Sequence, residues 1–259
     1  MQVVPLEQSL ENLFWQFISK DIPHHFFFAF DWKYNRGDTE ILLALKDGKI
    51  EGMMLVYRQS IVQFRGSSEA VRILLERLNL EKVELQALEE HKPYILKKYA
   101  PTVTHRMMLM IVHRGEEKAQ VTCSVVSLNE SDAEQIAAIM RESDPEFWGT
   151  ATGQGIVDGM NRGVKWLGVK INGKAVSVGS MRITEWGGLI GTVATHKDYR
   201  NKGYATSIVS ELVKRMLKEA PWVIIYVLAD NQPAIRAYEK AGFKHYKTYF
   251  FMRGEKRKV

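Results

Sequence analysis

Two short turns constrain this chain more than any other feature. Asp47-Gly48 and Asn172-Gly173 are each followed by lysine and each lie between runs in which apolar and polar residues alternate. A two-residue β-hairpin needs φ > 0 at both central residues, which Asp-Gly and Asn-Gly tolerate best. Ile41–Arg58 and Lys165–Arg182 are therefore predicted hairpins. The likeness extends past the turns: Val83–Met110 and Val223–Met252 each read strand, short helix, last strand. Lys92-Pro93-Tyr94-Ile95 stands in the first where Gln232-Pro233-Ala234-Ile235 stands in the second. This order predicts two tandem units of the α/β (α+β) class, each a mixed, largely antiparallel sheet flanked by helices. The polar run Arg114–Gln120 sets the expected boundary, with domains at 1–113 and 121–259. An apolar fraction of 46% is enough for a core in each.

The second unit has the sharper pattern. Val121–Val126 alternates as a strand, and the single cysteine, Cys123, is expected there as a small core residue. Ser131–Arg141 reads as a helix, and Leu189–Thr195 as a strand after the hairpin. A long helix is predicted over Gly203–Lys218, with Ala205, Ile208, Val209, Leu212, Met216 and Leu217 on one buried face. Pro221 forbids its continuation. Val223–Ala229 is nearly all apolar, as in a strand buried on both faces. Pro233–Ala241 is a short helix opened by proline and closed by Gly242.

The chemistry is concentrated in Tyr199-Arg200-Asn201-Lys202-Gly203-Tyr204-Ala205, between a strand and the long helix. Such a turn aims unpaired N–H groups and the positive end of the helix dipole at one spot, which suits phosphate. Gly203 is expected to make room for the anion, with Arg200 and Lys202 adding charge at the rim. The run is neither a P-loop nor a dinucleotide fingerprint, since it lacks their further glycines.

The order of hairpin, strand, Arg-x-x-Gly-x-Ala, long helix, buried strand and Asn-x-x-Ala-x-x-x-Tyr-x-x-x-Gly-Phe resembles the GNAT superfamily of N-acetyltransferases. Here the last block is Asn231, Ala234, Tyr238, Gly242 and Phe243, and the resemblance covers roughly residues 121–253. Two units, the first degenerate, are similar to the glycine N-acyltransferase-like branch. The resemblance implies acetyl-CoA or another acyl-CoA as co-substrate, with its diphosphate on the N–H groups of Arg200, Asn201, Lys202, Gly203, Tyr204 and Ala205. It implies that the pantetheine arm lies along Val193, Ala194 and Thr195, with Asn231 touching the arm and the Tyr238 hydroxyl near the sulfur. A neutral amine then attacks the thioester, a backbone N–H near Val193–Thr195 stabilises the oxyanion, and Tyr238 protonates the thiolate. Many relatives carry a glutamate on the strand before the loop. Leu189 and Ile190 occupy that stretch here. Glu185, His196 and a water relay are the remaining candidates for the base, with Glu185 the nearest carboxylate.

The first unit lacks the motif. Phe64-Arg65-Gly66-Ser67-Ser68-Glu69 is shorter and puts Glu69 where phosphate would sit, so this half is expected to bind no cofactor. It would instead cover the second site, shape the substrate pocket, or make the contact of a homodimer. His24, His25 and His91 have no Cys or carboxylate at ligand spacing, and no metal is expected. Phe26, Phe27, Phe28, Phe30 and Trp32 read as core, while Trp148 reads equally as a lid over the acceptor or as interface filler. No run is long enough to cross a bilayer, and the lone cysteine fits a reducing, cytoplasmic setting. The acceptor reads as a small amine or amino acid, or as a protein N-terminus or lysine. Two other readings stay open. One is an acyl-CoA-binding sensor without turnover. The other, from the net charge of +6 and the basic tail Arg253–Lys258, is a nucleic-acid-binding protein.

Overall fold

The computed structural model describes residues 1–118 and 120–258, and it divides the chain into two compact units. Unit 1 comprises Met1–Met108, Leu228–Asp230 and Lys247–Val259; unit 2 comprises Leu109–Val227 and Asn231–Tyr246.

Unit 1 begins with β1 (Gln2–Pro5), α1 (Glu11–Ile18) and α2 (Phe26–Tyr34). The hairpin β2 (Thr39–Lys46) and β3 (Lys49–Tyr57) follows, then β4 (Ile61–Gly66), α3 (Ser68–Arg77), β5 (Lys82–Leu88), α4 (Lys92–Lys98) and β6 (Tyr99–His113). The β2–β3 turn has φ +50° at Asp47 and +73° at Gly48, the left-handed pair a tight hairpin demands. Strands run in the order β1-β2-β3-β4-β5, and β4 and β5 are parallel through the α3 crossover. The core gathers Val62, Phe64, Val71, Leu74, Leu85, Tyr99, Phe250 and Met252. Phe26, Phe28 and Trp32 are buried as the sequence predicts, while Phe27 and Phe30 are half-exposed.

Unit 2 runs β7 (Val126–Leu128), α5 (Ala133–Ser143), α6 (Pro145–Trp148), α7 (Gly153–Asn161), β8 (Lys165–Ile171), β9 (Lys174–Ile183), β10 (Gly188–Thr195), α8 (Tyr204–Met216), β11 (Trp222–Leu228) and α9 (Gln232–Lys240). Its strand order is β11-β10-β9-β8-β7, with residues 109–113 of β6 beside β11. The β8–β9 turn repeats the first hairpin, at φ +49° for Asn172 and +78° for Gly173. Ile136, Ala137 and Met140 of α5 pack on Val178 and Ala194. Lys170 Nζ lies 2.6 Å from the buried Asp132 carboxylate, which also closes a capping box with Asn129 at the entry to α5.

Two findings depart from the sequence expectations. First, the units are not contiguous in sequence. The last strand β12 (Lys244–Lys256) pairs antiparallel with β5, from Tyr249 opposite Leu88 to Glu255 opposite Lys82, so residues 247–258 complete unit 1. Second, the strand expected over Val121–Val126 shrinks to Val126–Leu128. Cys123 is half-exposed rather than core, and Val121 is exposed. Gln120 and Thr122 are instead hydrogen-bonded to a helix side chain, and alternation alone makes no strand without a ladder to join.

Candidate functional site

The expected phosphate loop lies where β10 hands over to α8. Gly203 is the N-cap of α8 at φ +79°, two residues after Asn201 at φ +62°, and the helix has no side-chain cap. The first-turn N–H groups, at the positive end of the dipole, are therefore engaged by no capping side chain. Left-handed residues in such a loop turn successive N–H groups into one concavity, an anion nest. The backbone supplies a reason of its own for glycine at 203. A Cβ there would meet only the Thr122 hydroxyl, at 3.5 Å, so the left-handed backbone, rather than crowding, requires glycine. Arg200 Nε donates to the Thr195 carbonyl at 3.2 Å, pinning the loop to the end of β10. The Lys202 ammonium lies 5.0 Å from the Tyr199 ring centroid.

Beside the loop the sheet splits. β10 and β11 pair in parallel only through Gly188–Ile190 and Val223–Ile225, and a register shift follows between Ile190 and Val193. Beyond it Val193, Ala194 and Thr195 pair with Gly179, Val178 and Ser177 of β9, while their other edge has no β11 partner. The split is buttressed by residues the sequence reading missed. The Ser180 hydroxyl accepts from the Thr192 N–H at 2.8 Å, and the Ser177 hydroxyl donates to the Ala194 carbonyl at 3.2 Å. Their only signal was serine at buried positions of a strand. At the entry to α9, Asn231 accepts from the Ala234 N–H at 3.2 Å and so serves as its cap. Tyr238 is 6% exposed, with the Phe243 ring edge-on at 6.1 Å, and burial pushes its pKa above the ordinary tyrosine range. Its hydroxyl therefore stays protonated at neutral pH and is a donor.

The FR47-like protein family matches residues 167–252, the segment that contains both motifs. A mycothiol acetyltransferase of Corynebacterium aurimucosum is 42% identical over 57 residues, which are 22% of this chain and 19% of that protein. The match thus spans about a fifth of the relative's length. A crystal structure of a Drosophila protein superposes with a TM-score of 0.74 at 12% identity, over 96% of this chain and 98% of the other. A GNAT-family acetyltransferase from Colwellia psychrerythraea gives 0.64 at 13% identity, over 99% and 100%. The protein has the GNAT fold. Because the Colwellia structure matches nearly the whole length, the likeness in fold extends to both units.

Within this GNAT framework the remaining candidates fall at different places. Glu185 is exposed in the β9–β10 turn, at the paired end of the split rather than its open end. His196 Nε2 lies 3.2 Å from Glu142 of α5, and its Nδ1 accepts from the Asp198 N–H at 3.3 Å, so both ring nitrogens are engaged. Trp148 ends α6 with 36% of its surface exposed.

Unit 1 repeats the split and fills it. β4 and β5 pair through Ile61–Gln63 and Glu84–Gln86 only, the same three-residue parallel contact. Beyond it Arg65, 1% exposed, donates to the carbonyls of His24 and Phe64 at 3.0 and 2.8 Å and to the side chains of Gln63 and Gln86 at 3.1 and 2.7 Å. Its guanidinium lies 4.5 Å from the Tyr249 ring centroid. His91, fully buried, holds the position at the entry to α4 that Asn231 holds at α9, and its Nδ1 is 3.5 Å from the Ser68 hydroxyl. α3 is capped by Ser67, which accepts from the Ala70 N–H. Burial, then the Arg65 charge, lowers the His24 pKa to about 2; burial also lowers that of His25 to about 4. Among the described residues no group of three or more His, Cys, Asp or Glu could hold a metal ion, and no helix is long and apolar enough to cross a membrane.

Proposed function

We propose that unit 2 transfers an acyl group, acetyl first among them, from acetyl-CoA to a primary amine by direct attack. One observation carries the reading. The uncapped start of α8 stands at the end of a strand whose residues Val193–Thr195 are paired on one edge only. The first fits a diphosphate, and the second fits the amides of a pantetheine arm lying as an added strand. The same residues in unit 1 are capped and filled, so unit 2 alone is proposed to take the co-substrate.

The chain's residues then divide the work. The nest from Arg200 to Ala205 binds the diphosphate, with Arg200 and Lys202 at its rim. The edge of Val193–Thr195 fixes the arm and offers an N–H to the oxyanion; the Thr192 N–H is already held by Ser180. The amine nitrogen forms its bond to the thioester carbonyl carbon, the carbon–sulfur bond breaks, and the Tyr238 hydroxyl gives the departing thiolate its proton. Asn231 fixes the start of α9 and so the height of Tyr238, two turns on. The amine's proton passes through water, with Glu185 as the proposed final acceptor. The acceptor is a small amine or amino acid, or a protein N-terminus or lysine, in the cytoplasm.

The lack of a carboxylate on β10 itself, where Leu189 and Ile190 stand, favours one second reading: an acyl-CoA-binding sensor without turnover. Release of free thiol from acetyl-CoA with a panel of amines separates the two. Turnover with any amine supports the transferase. Tight CoA binding with no amine acylated supports the sensor, and no binding of CoA or longer acyl-CoA thioesters refutes both.

A further inference from the structure

A helix that leaves its first-turn N–H groups to a ligand gives up the side chain that normally fixes its start. α8 is in that position, and the structure shows what holds it instead. Residues 114–118 and 120–125, between β6 and β7, belong to unit 2. At one end the Lys118 N–H donates to the Ala241 carbonyl at 3.0 Å, and Glu116 lies 2.6 Å from Lys244 Nζ, both at the exit from α9. Gly242, at φ +106°, is glycine there partly because a Cβ would meet the Glu116 carbonyl at 2.5 Å. At the other end the segment meets the first turn of α8 at one side chain, Ser207, which is fully buried. The Ser207 hydroxyl accepts from the Thr122 N–H at 3.0 Å, shares a hydrogen bond with the Thr122 hydroxyl at 3.1 Å, and reaches the Gln120 carbonyl at 3.5 Å. The Thr122 hydroxyl is also the atom nearest to where a Cβ on Gly203 would be.

We infer that Thr122 is a positioning residue for the phosphate loop. Pinned on Ser207, Thr122 takes the place of an N-cap and holds the start of α8 while leaving the first-turn N–H groups for the diphosphate. The consequence is selective. Loosening the pin disorders the cradle, so it weakens ligands that carry the diphosphate and spares those that carry only the pantetheine arm.

This inference rests on the acyltransferase reading, and its test separates the two. Thr122→Val removes one hydroxyl at an exposed position and keeps the N–H; Thr122→Ser keeps both. Titration calorimetry with CoA and with S-acetylpantetheine, which lacks the diphosphate, gives the comparison. Thr122→Val is expected to weaken CoA about three- to tenfold, the worth of one hydrogen bond. It should leave S-acetylpantetheine within twofold, and Thr122→Ser should restore the wild-type CoA affinity. Unchanged CoA affinity in Thr122→Val overturns the inference, as does an equal loss for both ligands, which a merely structural threonine would produce. A wild-type protein that binds no CoA overturns the acyltransferase reading itself.

Discussion

Tyr238→Phe is the sharpest perturbation of the proposed chemistry, because the structure isolates the hydroxyl from the fold. No hydrogen bond to the Tyr238 hydroxyl accompanies the burial that raises its pKa, and the ring is held by the edge-on contact with Phe243 at 6.1 Å. Replacing it by phenylalanine keeps that contact and leaves no internal partner unsatisfied, so the stability change is expected to stay within about 0.5 kcal/mol. The rate is another matter. A positioned general acid contributes roughly 10²- to 10⁴-fold. A thiolate, whose acid has a pKa of about 8.5, already leaves tolerably without a proton, which puts the loss near the lower end. A hundredfold fall in kcat corresponds to about 2.7 kcal/mol of lost transition-state stabilisation. The assay follows free thiol at saturating acetyl-CoA and amine, with CoA affinity measured separately by titration. The expected result is kcat down about a hundredfold, CoA affinity unchanged and the melting temperature within a degree or two. Because burial raises the Tyr238 pKa, wild-type turnover should not decline through loss of this proton below about pH 10. A variant that retains full kcat with several amines refutes the acid role.

Three further outcomes are expected. Titration of the wild-type protein with CoA should saturate at one ligand per chain and Gly203→Glu should bind none; two per chain, or residual tight binding in the variant, would show that Arg65 and His91 do not close unit 1. Arg65→Ala should lower stability by about 3 kcal/mol or more, read in urea, since it strands the buried oxygens of Gln63 and Gln86; a loss under 1 kcal/mol would mean that those groups find water. The chain should also be acid-sensitive. His25 titrates near 6.5 unfolded and at about 4 folded, so its stabilising contribution is present above pH 6.5 and is lost as pH falls towards 4, by about 3 kcal/mol. His24, lowered further, loses stability over the same window, so His25→Gln should lessen the slope there without abolishing it; an unchanged curve would refute the His25 contribution.

Local sequence carried a large part of the fold because its signals were local. Asp47-Gly48 and Asn172-Gly173 could close only tight hairpins, and the apolar stripe of α8 and the Pro233 and Gly242 boundaries of α9 are periodicities and backbone limits that need no neighbour. The backbone of the loop proposed to bind phosphate was legible for the same reason. Its left-handed Gly203 and uncapped helix start follow from residues adjacent in the chain. The alternation of Val121–Val126, in contrast, suggested a strand that did not form. Alternation states only that a segment has two faces, and Thr122 in this one bonds to Ser207 instead of to a ladder.

What the sequence determined by itself, then, was the inventory of elements, their order and the left-handed loop that opens α8. Tertiary structure decided the partners. β12 and β6 both read as antiparallel last strands, and the chain places β12 against β5 although β6 is closer in sequence. Arg65 looked like one more basic residue until packing buried it in the split of unit 1, and Thr122 and Ser207, far apart in the chain, became a pin only on meeting. Backbone preference acts over a few residues and can be read along the chain, whereas the choice of strand neighbour and the burial of a polar group are settled by contacts between distant segments.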